Sequence, residues 1–362
     1  MKKELSSLDL YYLVKEFSIL KNAKVNKVYH YRNELLLDLH VPSKGKFLLK
    51  VVLPSLIFIT KQKKEYLAPS GFCMFLRKDL VNARLRNIQQ IESERILDLE
   101  FEKEKKYHLI IELFSKGNII LCRSDYKILG ALTVQKWSNR EIKKGNKYIY
   151  PERRYNLFKI KEKELKDLIE NSKMDSVVKI LAVDLGIGGV YAEELCLLAR
   201  TDKKKKKPDD KEIKKIFSEL KKLRNKKLNP GIYDNNDIVP FELEQFKELK
   251  FKKYKTFNEA IEEKYGKEED IVSTRHDFKI DKILRILEEQ KDKIGELEKE
   301  AEENTRKGEL VYEKYQLIDS ITKELREIRK KHSWKEIKEK LKGHKLIKEI
   351  NEKENKVAIN IS

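Results

Sequence analysis

Three glycines crowd four positions in KILAVDLGIGGVYAEELC, residues 179–196: Gly186, Gly188 and Gly189. Glycine at that density lets backbone amides come close to a phosphate, or lets the chain turn tightly between two helices. The dinucleotide pattern GxGxxG is not met, because Tyr191 holds the place of its third glycine and no strand precedes it. An apolar helical run before the glycines and a second helix after them match a helix-hairpin-helix. There the N–H groups opening the second helix face outward and can hold a phosphate. A plain turn between helices needs the same glycines, so both readings stand at this point.

Two further groups could meet an anion. In GFCMFLRKDLVNARLRNI, Arg77, Lys78, Arg84 and Arg86 are expected to project from a helix and its exit, where they suit either a phosphate backbone or plain solvent. Asp9 falls in the first turn of a helix, where the dipole favours a carboxylate. Glu94 and Arg95 precede a strand, and an arginine fork there suits a carboxylate, a base or a phosphate. The six histidines fall at no metal-ligand spacing, and no nucleophile elbow, Walker loop or HExxH is present. No cofactor is expected. Trp137 and Trp334 read as packing anchors, and the run Lys203–Lys207 as a solvated charged loop.

The 362 residues carry 81 Lys+Arg against 61 Asp+Glu, a net charge of +20 that favours a polyanionic partner, nucleic acid first. Three widely spaced cysteines, Cys73, Cys122 and Cys196, make neither a disulfide framework nor a zinc site, and read as reduced core thiols of a cytoplasmic protein. No run approaches the roughly 18 apolar residues of a membrane span, and the N-terminus lacks a secretory apolar region.

These residues need elements to hold them. Ser7 is expected to cap a helix with Leu10, Leu13, Val14 and Phe17 on one face. Four strand-like runs follow, with PSKG as a hairpin turn, then the Cys73 helix, then five more strand-like runs up to about residue 160. From about Ile160 four helix candidates form a small bundle. After Arg275 apolar residues alternate three and four apart through Leu325, a heptad seam that predicts one helix of more than 40 residues. The fold class is α+β, with expected divisions of 1–165 (strand-rich domain), 166–272 (helix-hairpin-helix domain), 273–331 (first coiled-coil helix) and 332–362 (start of the coiled-coil tip). The seam wants a partner helix, either a returning arm of the same protein or a second chain.

LSSLDLYYLV, PSGFCMFLRKDLVNARL, GNIILC, KYIYPERR, LGIGGVYAEELC and KGELVYEKYQ occur in the order expected of the NFACT family of ribosome quality-control factors, and the chain resembles an archaeal-type member. The resemblance implies an N-terminal domain similar to that of formamidopyrimidine-DNA glycosylases, a helix-hairpin-helix domain and a coiled-coil arm. It also implies a returning arm and a C-terminal RNA-binding domain beyond this chain. The implied partners are tRNA and the large ribosomal subunit, through rRNA and stalk-base proteins, with no membrane. The implied role is an adaptor, not an enzyme, that supports mRNA-free tailing of stalled chains. By the same resemblance Asp9, Arg95 and Asn118 belong to the nucleic-acid site, Glu94 stands where aspartate is usual, and Arg153 and Arg154 follow a Glu152 where proline is common. Two alternatives are a glycosylase-like nucleic-acid enzyme, for which Lys2 replaces the expected proline nucleophile, and a fibronectin-binding surface protein.

Overall fold

The structure, a computed structural model, describes residues 4–63, 69–137, 139–151, 155–266, 275–341, 347–351 and 356–359. Contacts divide the chain into two units, Met1–Thr274 and Arg275–Ser362.

The first unit opens with helix α1 (Ser7–Glu16), capped by Ser6 and not by the expected Ser7. Strands β1 (Lys24–Tyr31), β2 (Glu34–Val41), β3 (Gly45–Val52) and β4 (Leu56–Thr60) then form an antiparallel meander. Helix α2 (Gly71–Leu80) starts a second round, β5 (Arg84–Gln90), β6 (Ile96–Glu102), β7 (Lys106–Glu112), β8 (Asn118–Arg123) and β9 (Ile128–Ala131). The nine strands make one antiparallel sheet in the order β4-β3-β2-β1-β5-β6-β7-β8-β9. The alternation of apolar and polar residues buries one face of it under both helices: Leu10, Leu13 and Phe17 of α1 and Cys73, Leu76 and Leu80 of α2 share a core with Val28, Leu37, Leu99 and Leu109.

The two rounds meet about an approximate two-fold. Val25 donates to Ala83 O at 2.9 Å, and Leu85 to Ala23 O at 2.8 Å. Asn22 donates to Leu85 O and Asn82 to Val25 O, at 2.7 and 2.8 Å. Asn22 and Asn82 both adopt positive φ, 66° and 69°, and β1 and β5 each bulge four residues further on, between Val25/Lys27 and Leu85/Asn87. Asparagine tolerates the left-handed region by local hydrogen bonding, which is why it recurs at this helix-to-strand corner.

On the opposite face the rounds differ. Over β6–β8, residues Tyr126 to Tyr150, with strands β10 (Gln135–Lys136) and β11 (Glu141–Ile142), form a flap that buries Ile96, Ile110, Ile120 and Cys122. Two buried carboxylates pin it. Asp98 accepts from Tyr126 and Tyr150 hydroxyls at 2.8 and 3.0 Å, and Glu112 accepts from Tyr148 at 2.7 Å and pairs with buried Arg140 at 2.9 Å.

Helices α3 (Glu162–Asn171), α4 (Val177–Lys179, widening into a π-helical turn over Ile180–Asp184), α5 (Gly189–Leu198) and α6 (Asp210–Arg224) surround a second core. The expected division at residue 165 falls inside α3, and the two cores share α1: Leu8 and Tyr12 face the second while Leu10 and Leu13 face the first. The Tyr12 hydroxyl lies 2.9–3.1 Å from the carbonyls of Leu223, Arg224 and Lys226, where α6 ends, and burial pushes its pKa up to about 12. The lysine run is less free than expected, since Lys203 pairs with Glu193 and Lys205 with Glu212. A small sheet of β12 (Gly231–Tyr233), β13 (Ile238–Val239) and β14 (Phe251–Lys253) leads to α7 (Phe257–Tyr265), which returns to the first core. All three cysteines are buried and free; burial raises Cys122 to about 12 and Cys196 to about 11.

The edge strand β4 is closed by α7. Asn258 accepts from Ile59 N at 2.6 Å and donates to Ile59 O at 2.8 Å, imitating a neighbouring strand. Glu16 fixes α7 in turn, accepting from the Phe257 and Asn258 amides at 2.8 Å each.

In the second unit the single long helix is replaced by two, α8 (Arg275–Glu313, 39 residues) and α9 (Tyr315–Lys331, 17 residues). Lys314 between them relaxes to φ −100°, ψ 18°, while Lys314 N to Leu310 O and Ile318 N to Lys314 O keep the ladder running. No proline or glycine marks the site, and nothing in the sequence explains the interruption. Seam residues Ile294, Leu297, Val311 and Tyr315 are exposed, Leu297 by 51%. Helix α10 (Trp334–Lys340) packs on α9 and buries Ile337, and β15 (Ile347–Asn351) pairs with β16 (Lys356–Ile359). Among the described residues no helix is long and apolar enough to cross a membrane.

Burial raises the Glu16 pKa above its ordinary 4.5, against the lowering effect of the two amides. A carboxyl raised in the folded state binds a proton more readily there than in the unfolded chain. Its contribution to stability is therefore fully present below the ordinary value and fades as pH rises through the raised one. Denaturant midpoints across that window should fall with rising pH less steeply for Glu16→Gln than for the parent; equal slopes would remove Glu16 from the account.

Candidate nucleic-acid interface

The start of α1 is where the candidate residues meet. Ser6 and Asp9 form a capping box: Asp9 N donates to Ser6 Oγ at 3.2 Å, and Asp9 Oδ2 accepts from Ser6 N and Oγ at 2.6 and 2.7 Å. Asp9 is fully buried. Its other oxygen accepts from the Tyr191 hydroxyl at 2.5 Å, and Tyr191 sits in the first turns of α5, just past the glycines. Burial drives the Tyr191 pKa far up, and the Asp9 charge adds to it, so this phenol stays a donor. Asp9 thus acts as a clamp between two helix starts and presents no carboxylate to solvent, a correction to its expected role as a contact.

The glycines divide by function. Gly186 and Gly188 have φ of 76° and 90°, and the amides of Ile187 and Gly188 return to the Leu181 and Ala182 carbonyls at 3.2 Å each. A Cβ on Gly188 would stand 3.0 Å from Ser6 Cβ, so backbone conformation and the neighbouring cap both demand glycine there. Gly189 is exposed, and a Cβ on it would meet nothing within 4 Å. Leu185 and Ile187 are buried, so the turn is anchored on one side and open at Gly189.

Arg95 lies beside the same helix start. Its fork meets Glu4, Nη1 to Oε1 and Nη2 to Oε2 both at 2.8 Å, and Nη2 also donates to Pro54 O at 3.1 Å. The side chain is 19% exposed, and its buried Nε has no hydrogen-bond partner. The loop before it is tied to α1: Ser7 Oγ donates to Ser93 O at 2.6 Å, and Gln90 Nε2 donates to Ser7 O and Glu94 O at 3.0 and 2.9 Å. Asp9, Glu94, Arg95 and Gly188 therefore converge on one helix terminus, although they come from three parts of the sequence.

The other candidates lie elsewhere. Arg77 is partly committed, its Nε donating to Val28 O at 2.8 Å, while Lys78 is exposed. Arg84 and Arg86 do not extend the α2 face but lie on β5, at its end remote from Gln90. Arg86 pairs with Glu102 at 2.7 Å, so the four do not form one free basic stripe. Asn118 is buried, with its amide donating to Thr133 O and Gln135 Oε1 at 2.8 and 2.9 Å, and so braces the flap instead of facing a ligand. Arg153 and Arg154 lie outside the described residues. Sequence reasoning missed Ser6, Tyr191, Gln90, Ser93 and Glu4. The spacing Ser6-x-x-Asp9 was a capping signal that could have exposed the first of these.

The description "NFACT N-terminal and middle domains" matches residues 6–359. The chain belongs to the NFACT family. It is 34% identical over 393 residues to the archaeal Rqc2 homolog aRqcH of Methanocaldococcus jannaschii, a match covering 100% of this chain and 58% of that protein. It is 25% identical to the human ribosome quality control complex subunit NEMF, over 88% of this chain and 33% of that one. The chain thus spans less than two thirds of these relatives. In fold, the fibrinogen binding protein from Staphylococcus aureus superposes with a TM-score of 0.60 at 18% identity, covering 72% of this chain and 98% of that one. Relatives from human and budding yeast are named as ribosome quality control complex subunits.

Replacing Tyr191 by Phe removes the donor to Asp9 and leaves a buried carboxylate oxygen short of it. The expected loss is about 1.5–3 kcal/mol, the scale of a hydrogen bond to a charged group. Chemical denaturation should read it; a loss of only a few tenths would mean Asp9 is held by other partners.

Proposed function

We propose that this chain is the tRNA- and large-subunit-binding portion of a ribosome quality-control adaptor. The observation that carries the reading is the convergence of Arg95, Glu94 and the Gly186–Gly189 turn on one helix terminus of a protein with +20 net charge. In this reading the glycine turn is a helix-hairpin-helix. The open Gly189 lets a phosphate reach the start of α5, where amides and dipole favour an anion. Arg95 exchanges its Glu4 fork for a second phosphate. Such contacts position a tRNA by its backbone and leave its sequence to be read elsewhere.

The exposed seam of α8 and α9 supports a coiled-coil arm completed by a partner helix, from a returning arm of the same protein or from a second chain, and directed at the ribosomal stalk base. In this reading peptide transfer in mRNA-free tailing belongs to the ribosome, in the cytosol, and the protein works as an adaptor.

Filter binding of bulk tRNA tests this. Affinity should fall with salt at a slope of roughly −0.7 to −0.9 per phosphate neutralised. Arg95→Ala should lose about tenfold, the scale of one charge-assisted contact, with an unchanged unfolding midpoint. Gly189→Ala should fold normally, since its Cβ meets open space, yet bind tRNA more weakly. Salt-independent binding, or wild-type affinity in both variants, would sink the reading.

A further inference from the structure

The flap over β6–β8 carries a feature that the α1 terminus does not use. Trp137 lies at the tip of the β10–β11 hairpin, 37% exposed, and joins none of the buried apolar clusters. The packing-anchor role expected for it is not what its surroundings show. Its ring is backed by the Arg140 guanidinium, 4.2 Å from the ring centroid. Arg140 is itself fixed by buried Glu112 at 2.9 Å, and Glu112 by Tyr148. The hairpin tip closes through Trp137 N to Arg140 O at 2.8 Å, and Gln135 is held by Asn118. The indole is therefore pre-positioned, with a cation behind it. Nearby along the flap, Val134 and Ile149 are exposed by 66% and 54%, and Arg140 Nη1 reaches Ile149 O at 3.4 Å.

Around this apolar tip the flap is cationic. Lys127, Lys136, Lys143, Lys144 and Lys147 are exposed, and none has an ion pair among the described residues. Lys127 and Lys147 even face each other across an antiparallel bridge, where like charges repel. A rigid aromatic face inside unpaired lysines suits a base and its phosphates. A protein partner fits less well, because buried interfaces disfavour lysine.

We infer that Trp137 is a stacking platform for an unpaired nucleotide, with the flap lysines holding the flanking phosphates of a single-stranded RNA segment. The inference rests on the RNA-binding reading above and adds a second contact, remote in sequence from Arg95. A stacked indole is quenched, and Trp334→Phe leaves Trp137 as the sole tryptophan.

In that background the chain is titrated with bulk tRNA, with a single-stranded oligouridylate and with a duplex RNA of equal length. Expected are saturable quenching by tRNA and by the single strand but not by the duplex, and single-strand affinity lowered roughly five- to a hundredfold by Trp137→Leu, the scale of one base–aromatic stack. Trp137→Phe, which keeps an aromatic face, should bind close to the parent; thermal unfolding of each variant checks that the hairpin survives. Arg95-dependent tRNA binding with silent Trp137 fluorescence and a parental Trp137→Leu affinity would overturn the platform and leave the function standing. Loss of ribosomal-particle binding in Trp137→Leu, with parental affinity for all three RNAs, would assign the patch to a protein and overturn it as well. Absence of tRNA binding by the parent chain would remove both readings.

Discussion

One buried carboxylate holds the starts of α1 and α5 together. Asp9 shares its oxygens between the cap of α1 and the hydroxyl of Tyr191, with no solvent to compensate either if it is lost. A charge in that position is tolerated only because donors surround it and the positive end of a helix dipole lies beneath it. The result is geometric. The start of α5, with its open glycine, is locked against the start of α1, and the Ser93–Arg95 loop is locked to the same point by Ser7. Three distant stretches of sequence are brought to one place by groups that are themselves buried.

The approximate two-fold in the sheet shows where the two rounds diverge. Both rounds supply a helix and a meander to one core, and their contacts at the Asn22 and Asn82 corners are reciprocal. Only the second round carries the flap. That flap is pinned by Asp98 and Glu112, carboxylates that would be costly to bury without their tyrosine and arginine partners. Burial of this kind gives little net stability but a defined position, which a surface hairpin needs if its tip is to hold an aromatic ring in one orientation.

Much of this was legible in the chain. Strand alternation gave the two meanders, and apolar periodicity gave α1 and α2, although Ser6 rather than Ser7 caps α1 and the heptad's one long helix is two. GIGG marked a turn in which Gly186 and Gly188 adopt positive φ. What was hidden depended on pairing between distant residues. Tyr191 entered the sequence reading only as the residue in place of a third glycine, because nothing in GGVYAEEL shows that a phenol will meet a carboxylate 182 residues away. Asn118 read as a contact because a buried amide and an exposed one have the same sequence. Arg86 looked free until β5 paired with β6 and brought Glu102 beside it. The two-fold left only the short echo of Asn22-Ala23-Lys24 in Asn82-Ala83-Arg84, too brief to claim from sequence.

The state of Arg95 bears on where affinity would come from. Its fork already holds a carboxylate with two bonds of 2.8 Å, and a phosphate would replace that partner, not a shell of water. Exchange of one paired anion for another limits the gain to the scale of a single contact, so Arg95 fixes the register of a bound RNA as well as helping to hold it. Most of the attraction then falls to cations that give up only solvent and counterions on binding, and the flap lysines, without ion pairs among the described residues, are of that kind. A protein organised this way separates capture from placement. Its salt dependence would be set by the lysines and its geometry by the helix terminus that Asp9 holds in place.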